Sequence, residues 1–462
     1  MDNKTLWSLR LGFSGKQAGL IEKEGIQKFV KNSFAAPIAP VPASLMKGEL
    51  RIPAEIEAYR IAEKKRQEKG WQAIQIQIDT KSFEIKSWWI SQMMAEKYPL
   101  REKMTIFWHN HYVTALRKVQ VNSWIVDHNI LLRKNAFGNF RELTKKVLYT
   151  NAMVKYLDNN NNKKSKLNEN LSRELLELFT LGVGHYSEND VKNGAKALAG
   201  LTLGPDGAVY DVKQEFTEPF TYLGKTGKFK ANDIVDIIFE QKAAPYFVTR
   251  KLLKWFIYDN PPEELVTYYG DYLRKVDFEL EPFLLKVFTE EFAKPTGGSK
   301  IKDPLVFTLH LMDELNINNQ NNKVTAVFLR GQGMDLYNQV NVKGWDGGKS
   351  WLSTQLFSQR NNIADTFCKG QNLSRKSLYN LESENETFPE KLNIHIDWVK
   401  KGTNKEIIAQ LKNRLLFTAD DSLQKDFEAI ITHDFDPNSE SAGKGILRLF
   451  NYMVNSPEFQ IV

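Results

Sequence analysis

The chain has 462 residues, 42% of them apolar and 12% aromatic, with ten tryptophans; this excludes a disordered protein and suffices for two or three domains or one large helical body. Its formal charge of +7 is a small difference between 63 basic and 56 acidic residues, so a generally basic surface accounts for it and a moderate preference for anionic polymers stays open. The single cysteine, Cys368, excludes an internal disulfide and a cysteine-based zinc knuckle and leaves the redox compartment undecided.

The opening MDNKTLWSLRLGFSGKQ has no apolar run of signal-peptide length, and no later stretch reaches the ~18 to 20 apolar residues that cross a bilayer. The sequence as given therefore predicts a soluble, cytoplasmic protein, exported if a leader has been removed. From Ala62 to Gly70, AEKKRQEKG mixes charge signs as an exposed helix does. Apolar residues at three- and four-residue spacing in SFEIKSWWISQMMAEK, FRELTKKVLYTNAMVKYL and DPLVFTLHLMDEL predict helices. The fold class is all-α.

FWHNHYV carries His109 and His111. On a helix, His111 shares a side with Met104, Phe107 and Trp108, while His109 points nearly opposite, beside Val113 and Leu116. Such a helix is apolar almost all round and therefore buried, so both histidines need partners or must stay neutral and hydrogen-bonded. Were the stretch extended, the two rings would face the same way and could ligate a metal with a carboxylate. The apolar period favours helix, and no bound metal is expected. The letters HNH do not mark the nuclease motif, whose residues are dispersed over a ββα unit.

Next comes NNNNKKSK, Asn159 to Lys166, which has nothing apolar to bury and predicts a mobile loop. It leads into NENLSRELLELFTLGVGHY, Asn168 to Tyr186. At 3.6 residues per turn Glu169, Arg173 and Glu177 follow at four-residue steps, with Asn170 and Glu174 in the adjacent row, opposite a stripe of Leu171, Leu175, Leu178 and Phe179. An exposed helix with i, i+4 ion pairs would look much like this. Yet no lysine occurs from Leu167 to Val191 in a lysine-rich protein, and short, stiff polar groups suit a buried network, either a site or a structural one.

Further helix starts are marked by Ser187 with Asp190 three residues on, by Pro261 and Pro262 before two glutamates, and by Asp303 before Pro304. Between Leu203 and Phe229, GPDG and GKTG bracket short alternating runs that predict a small β-hairpin excursion. Polar patches around NINNQNNK and LESENETFPEK place a soft boundary near residue 320, giving a main helical domain of 1–320 and a C-terminal helical region of 321–462 packed on it. KGWDGGKSW, Lys343 to Trp351, is not a phosphate-binding loop, because its glycines are four apart where five are needed and no strand precedes it. It predicts a loop near a cleft, with Trp345 free to stack on a sugar or merely to pack. The chain closes with an amphipathic helix, ILRLFNYMV, and NSPEFQIV.

LWSLRLGF, REKMTIFWHNHYV, FRELTKKVLYTNAMVKYLDNN, NENLSRELLELFTLGVGHYSENDV, ALAGLT, KGWDGGKSWL and NSPEFQ, in this order, resemble the bacterial family catalogued as domain of unknown function 1800. The resemblance implies a predominantly helical protein, commonly exported and often encoded beside a sulfatase-like or phosphatase-like companion. It implies no activity, cofactor or catalytic residue.

The residues predict a helical enzyme with a polar site, and the Trp-rich composition together with the companions that the resemblance implies points to hydrolysis or elimination on a carbohydrate-type substrate. Glu174 and Glu177 are the acid and base, Arg173 the orienting or anion-binding group, and His111 a proton shuttle; His109, Asn168, Glu169, Asn170, His185 and Trp345 bind substrate. Two rivals are a non-catalytic binding or assembly partner of a sulfatase-like companion, in which the polar network only fixes helix packing, and a metal-dependent hydrolase using the histidines.

Overall fold

In a computed structural model of the chain, helix starts almost at once: Asp2 caps the first helix, Asn3–Leu11, by accepting the Thr5 amide at 2.8 Å. The structure describes residues 1–66, 70–318, 320–373, 391–400, 402–431, 435–437, 439 and 441–462; most of LESENETFPEK lies outside them. Helix makes up 62% of the described residues, which places the protein in the all-α class that the apolar spacing predicts. Among the described residues no helix is long and apolar enough to cross a membrane.

Extended structure is confined, among the described residues, to isolated bridges and two antiparallel pairs: β1 (Leu201–Thr202) with β2 (Val209–Tyr210), and β3 (Phe220–Tyr222) with β4 (Lys225–Gly227). The predicted excursion is thus two hairpins. GPDG lies in the connection of the first, and GKTG supplies both the turn glycine and β4 of the second.

The Leu100–His111 helix, hereafter the histidine helix, runs through the core with every side chain buried except Arg101 and Asn110. Its apolar girdle explains that placement, and its charged members survive burial because each is paired. Glu102 accepts from Arg133 at 2.8 Å and from the Trp89 indole at 2.6 Å, and Lys103 reaches Asp303 at 3.3 Å. Trp108 is fully enclosed and donates to Ala136 O at 3.1 Å. Truncating such a ring to alanine costs about 3–5 kcal/mol. Asp303 also caps Pro304–Glu314, and Ser187 with Asp190 forms the predicted capping box of Glu188–Ala197.

The asparagine tract departs from expectation. Asn159 and Asn162 are 1% exposed; Asn159 donates to Leu198 O and Leu201 O at 3.1 and 2.8 Å, and Asn162 to Ala195 O at 2.9 Å. The tract has nothing apolar to bury, but its amides satisfy carbonyls at and just beyond the end of the Glu188–Ala197 helix. It is a tie between elements.

Residues beyond 320 pack against those before. Gln339, fully buried, donates to His109 O at 3.0 Å; Ile301 bridges Ile461, and Lys302 N donates to Gln460 O at 2.8 Å. The Ala442–Val454 helix lies on the Thr354–Cys368 and Asn404–Leu415 helices.

Candidate functional site

A cavity of about 190 Å³ opens where three elements meet: the end of the histidine helix, the Ala244–Phe256 helix, and the glycine-tryptophan loop. His111 and Asn110 come from the first, Lys251, Lys254 and Trp255 from the second, and Lys343, Trp345, Asp346 and Trp351 from the third, with Asp259 and Lys300 at one side. Most drug-sized pockets are larger, about 300–1,000 Å³, so this one suits a single small group or one unit of a longer chain.

The loop is held there by backbone geometry. Asn110 Oδ1 accepts the Trp345 amide at 2.6 Å. Gly344 has φ +90°, and a Cβ on it would overlap that same Asn110 side chain and stand 2.6 Å from Asn110 O. Only glycine fits both the left-handed backbone and the close approach.

At the cavity floor two side chains meet. The Nε2–H of His111 donates to Phe179 O at 2.9 Å, a direction fixed because a carbonyl only accepts; Nδ1 is then the acceptor for Lys251 Nζ at 3.2 Å. Lys251 Nζ also donates to Leu178 O at 2.9 Å. Protein surrounds Lys251 on most sides, but part of its surface stays open to the cavity. Burial, with Lys254 nearby, brings its ammonium down to about 7. Burial, and then the Lys251 charge, holds His111 well below the ordinary imidazole range, so the ring is neutral at pH 7.

The charge balance of the cavity is cationic, four lysines against two aspartates. Among the described residues only Lys300 of the four is in an ion pair, with Asp259 at 3.4 Å. Lys254 and Lys343 are exposed at the mouth.

The acidic motif borders this cavity without entering it. Asn170–Glu174 is α-helical, but Leu175–Thr180 widens into a π-helix, with Leu181 N donating to Leu176 O at 3.0 Å. The widened turn ends in carbonyls that have no partner inside the helix, and those of Leu178 and Phe179 are the ones taken by Lys251 and His111. Glu174 and Glu177 are each partly exposed. Burial, and then Glu177, raises the Glu174 carboxyl above its usual range, against the pull of Arg173 and Lys343. Tyr186 Oη donates to Glu177 Oε2 at 3.1 Å.

Arg173 does not clamp the two glutamates of the predicted acid/base pair. Its fork lies on Glu188, at 2.8 and 2.7 Å, with Glu169 at 3.4 Å, on the surface. Asn168 and Asn170 are used structurally: Asn168 Oδ1 accepts the Asn170 amide at 3.0 Å, and their amide groups donate to Asp158 O and Leu157 O. His185 is exposed on the loop beyond the π-helix. His109 faces away from the cavity, its Nε2 3.0 Å from Asn129 and its ring edge-on to Tyr337. Of the residues predicted as site members, His111 and Trp345 line the cavity. Among the described residues no three His, Cys, Asp or Glu side chains stand together as a metal would need.

Lys251, Lys254, Trp255 and Asn110 are absent from the prediction. One signal was available: Ala244, Val248, Lys251 and Trp255 follow at steps of four, three and four, so Lys251 occupies a core position of an amphipathic helix. A lysine there is either paired or functional.

A family model described as a protein of unknown function, DUF1800, matches residues 4–461. No curated protein and no solved structure matches the chain.

Proposed function

The chain belongs to the DUF1800 family, and we propose that it is an enzyme that carries out β-elimination on an anionic, carbohydrate-type substrate in the cavity between the histidine helix and the glycine-tryptophan loop. The observation that carries this reading is the commitment of the Lys251 nitrogen. A neutral amine has two N–H bonds, and both have acceptors, Leu178 O and His111 Nδ1. The lone pair is the one open direction left, on a residue that lines the cavity. That is the arrangement of a general base poised near neutral pH.

An acidic C–H beside a sugar carboxylate needs such a base and a counter-charge for the enolate that develops. Lys254 and Lys343 supply the charge. After taking the proton, the Lys251 ammonium can return it to the departing glycosidic oxygen on the same face. Trp345 and Trp351 offer apolar surface to a sugar ring. Hydrolysis by Glu174 and Glu177 has less support, because neither lines the cavity and the Arg173 fork is bound to Glu188 and Glu169.

The test is a screen of uronate-containing polysaccharides, following absorbance of the new conjugated double bond. Lys251→Met should lower turnover by about two to four orders of magnitude while leaving the far-UV circular dichroism unchanged. Turnover of neutral polysaccharides alone, or full activity in the variant, would refute the reading. Binding without turnover in both proteins would assign the cavity to a binding module.

A further inference from the structure

We propose that Lys251 is also a nucleophile, which condenses through Nζ with the carbonyl carbon of a small anionic aldehyde or ketone to form an imine. This rests on the reading that the cavity is the reaction site, and it names the substrate class, a 2-oxo acid or an open-chain uronic acid.

Lys86, Lys103 and Lys300 each face an aspartate, Asp335, Asp303 and Asp259. Burial lowers all three ammonium groups, but the facing carboxylate pulls each back up. Lys251 is bound instead to a carbonyl and an imidazole, neither of which carries charge at pH 7. Among the described residues there is one parallel case. Lys302 Nζ lies 3.1 Å from His310 Nδ1, but Lys302 is 1% exposed and sits 3.7 Å from the centre of the Phe459 ring. That couple is sealed, whereas the Lys251–His111 couple opens onto a cavity. A lysine brought to about 7, and so roughly half neutral at pH 7, with its lone pair open is a nucleophile as well as a base.

The ligand class follows from the remaining lining. Lys254 and Lys343 have no ion-pair partner among the described residues, so a carboxylate on the ligand finds its counter-charge at the mouth. About 190 Å³ accommodates a small carbonyl acid or one sugar unit. The chemistry balances without a redox partner. The Nζ lone pair forms the C–N bond as the carbonyl π electrons move to oxygen. One amine proton passes along the existing hydrogen bond to His111 Nδ1 and on to that oxygen, giving a carbinolamine. Loss of hydroxide and of the second amine proton releases water and leaves the C=N bond.

Trapping tests this directly. The full-length protein is incubated with pyruvate and sodium cyanoborohydride, whose hydride reduces any imine to a stable secondary amine, and labelled peptides are identified by mass spectrometry. We expect one adduct, on Lys251, that saturates with pyruvate and forms with an apparent pKa about 7, well below the ~10.4 of an ordinary lysine. Lys302 should stay unlabelled. Lys254→Met should keep the adduct on Lys251 but require several-fold more pyruvate. Labelling that follows exposure, with Lys254 and Lys343 modified first, or a native protein unlabelled at Lys251, would overturn the proposal. The two readings fail separately. Elimination lost in Lys251→Met without trapping leaves a base alone, and trapping without elimination activity leaves a carbonyl-capturing amine.

Discussion

Lys251 titrates in two very different settings, near 10.4 in the unfolded chain and about 7 in the fold. Between those values the unfolded state holds the extra proton, so this residue makes stability rise with pH across the window from about 7 to about 10. Replacement by methionine keeps the stem and removes the titration. Urea unfolding should therefore find Lys251→Met as stable as wild type, or more so, at pH 6. Wild type should then gain on it by on the order of 3 kcal/mol by pH 10, the cavity's solvent trimming the full shift. Parallel pH profiles for the two proteins would show an ordinary lysine. Glu174 runs the other way: its raised carboxyl binds protons more readily in the fold, so its contribution to stability falls as pH rises above about 4. Because Arg173 pairs with Glu188 and Glu169, Glu174→Gln leaves no buried charge orphaned. Its unfolding free energy should match wild type at neutral pH to within about 0.5–1 kcal/mol; a loss of several kcal/mol would expose a structural ion pair. His111 and Trp345 were legible in the sequence as a buried histidine and a loop tryptophan. Lys251 was not, because its signal is a charge misplaced within an otherwise ordinary apolar stripe.

At the scale of elements, the periodicity of the histidine helix was readable because burial on every side demands an apolar girdle. The acidic helix was readable only as far as Glu174. Beyond it the π-helix takes an extra residue per turn, and counting by 3.6 no longer says which way Glu177 faces. The asparagine tract escapes hydropathy for a related reason: hydropathy reports what a segment can bury by apolar contact and is blind to amides that satisfy carbonyls. Asn159→Ala would leave Leu201 O without its side-chain donor and Leu198 O with the Leu201 amide alone, and should cost roughly 1–3 kcal/mol in denaturant unfolding. A change below about 0.5 kcal/mol would return the tract to the status of a loop. Gly344→Ala probes the glycine-tryptophan loop. The clash with Asn110 and the φ of +90° should together cost about 1–3 kcal/mol and displace Trp345. Pyruvate trapping at Lys251 should then need more ligand, because Lys343 moves with the loop.

The whole molecule is closed at its two ends. Lys300 and Val462 exchange backbone hydrogen bonds in both directions, at 3.1 and 2.8 Å, and Asp2 N donates to Asn413 O at 2.8 Å. Phe459 fills a site between Phe307 and His310, with Lys302 over its face. Arg360, fully buried, joins Lys302 O to the Gln460 side chain. The boundary placed near residue 320 marks a change in polarity along the chain, but these contacts run straight across it, as does Gln339 to His109 O. A sequence shows where composition changes, whereas the pairing of residues some 160 positions apart leaves no local trace. Residues 1–320 expressed alone should therefore lack native packing, because Phe307, His310 and the back of the histidine helix would face water. Near-UV circular dichroism would report the loss, and a fragment with the native tryptophan signature would refute it. Within the full chain, Phe459→Ala should cost about 3–5 kcal/mol. Because the site it vacates joins the C-terminal segment to Phe307 and His310, the loss should appear in one cooperative transition, seen alike by tryptophan fluorescence and by far-UV circular dichroism. Two separated transitions, with only the later residues melting early, would mean that the C-terminal region folds as a unit of its own and that the cavity, built from Lys251 on one side and Trp345 on the other, forms by docking.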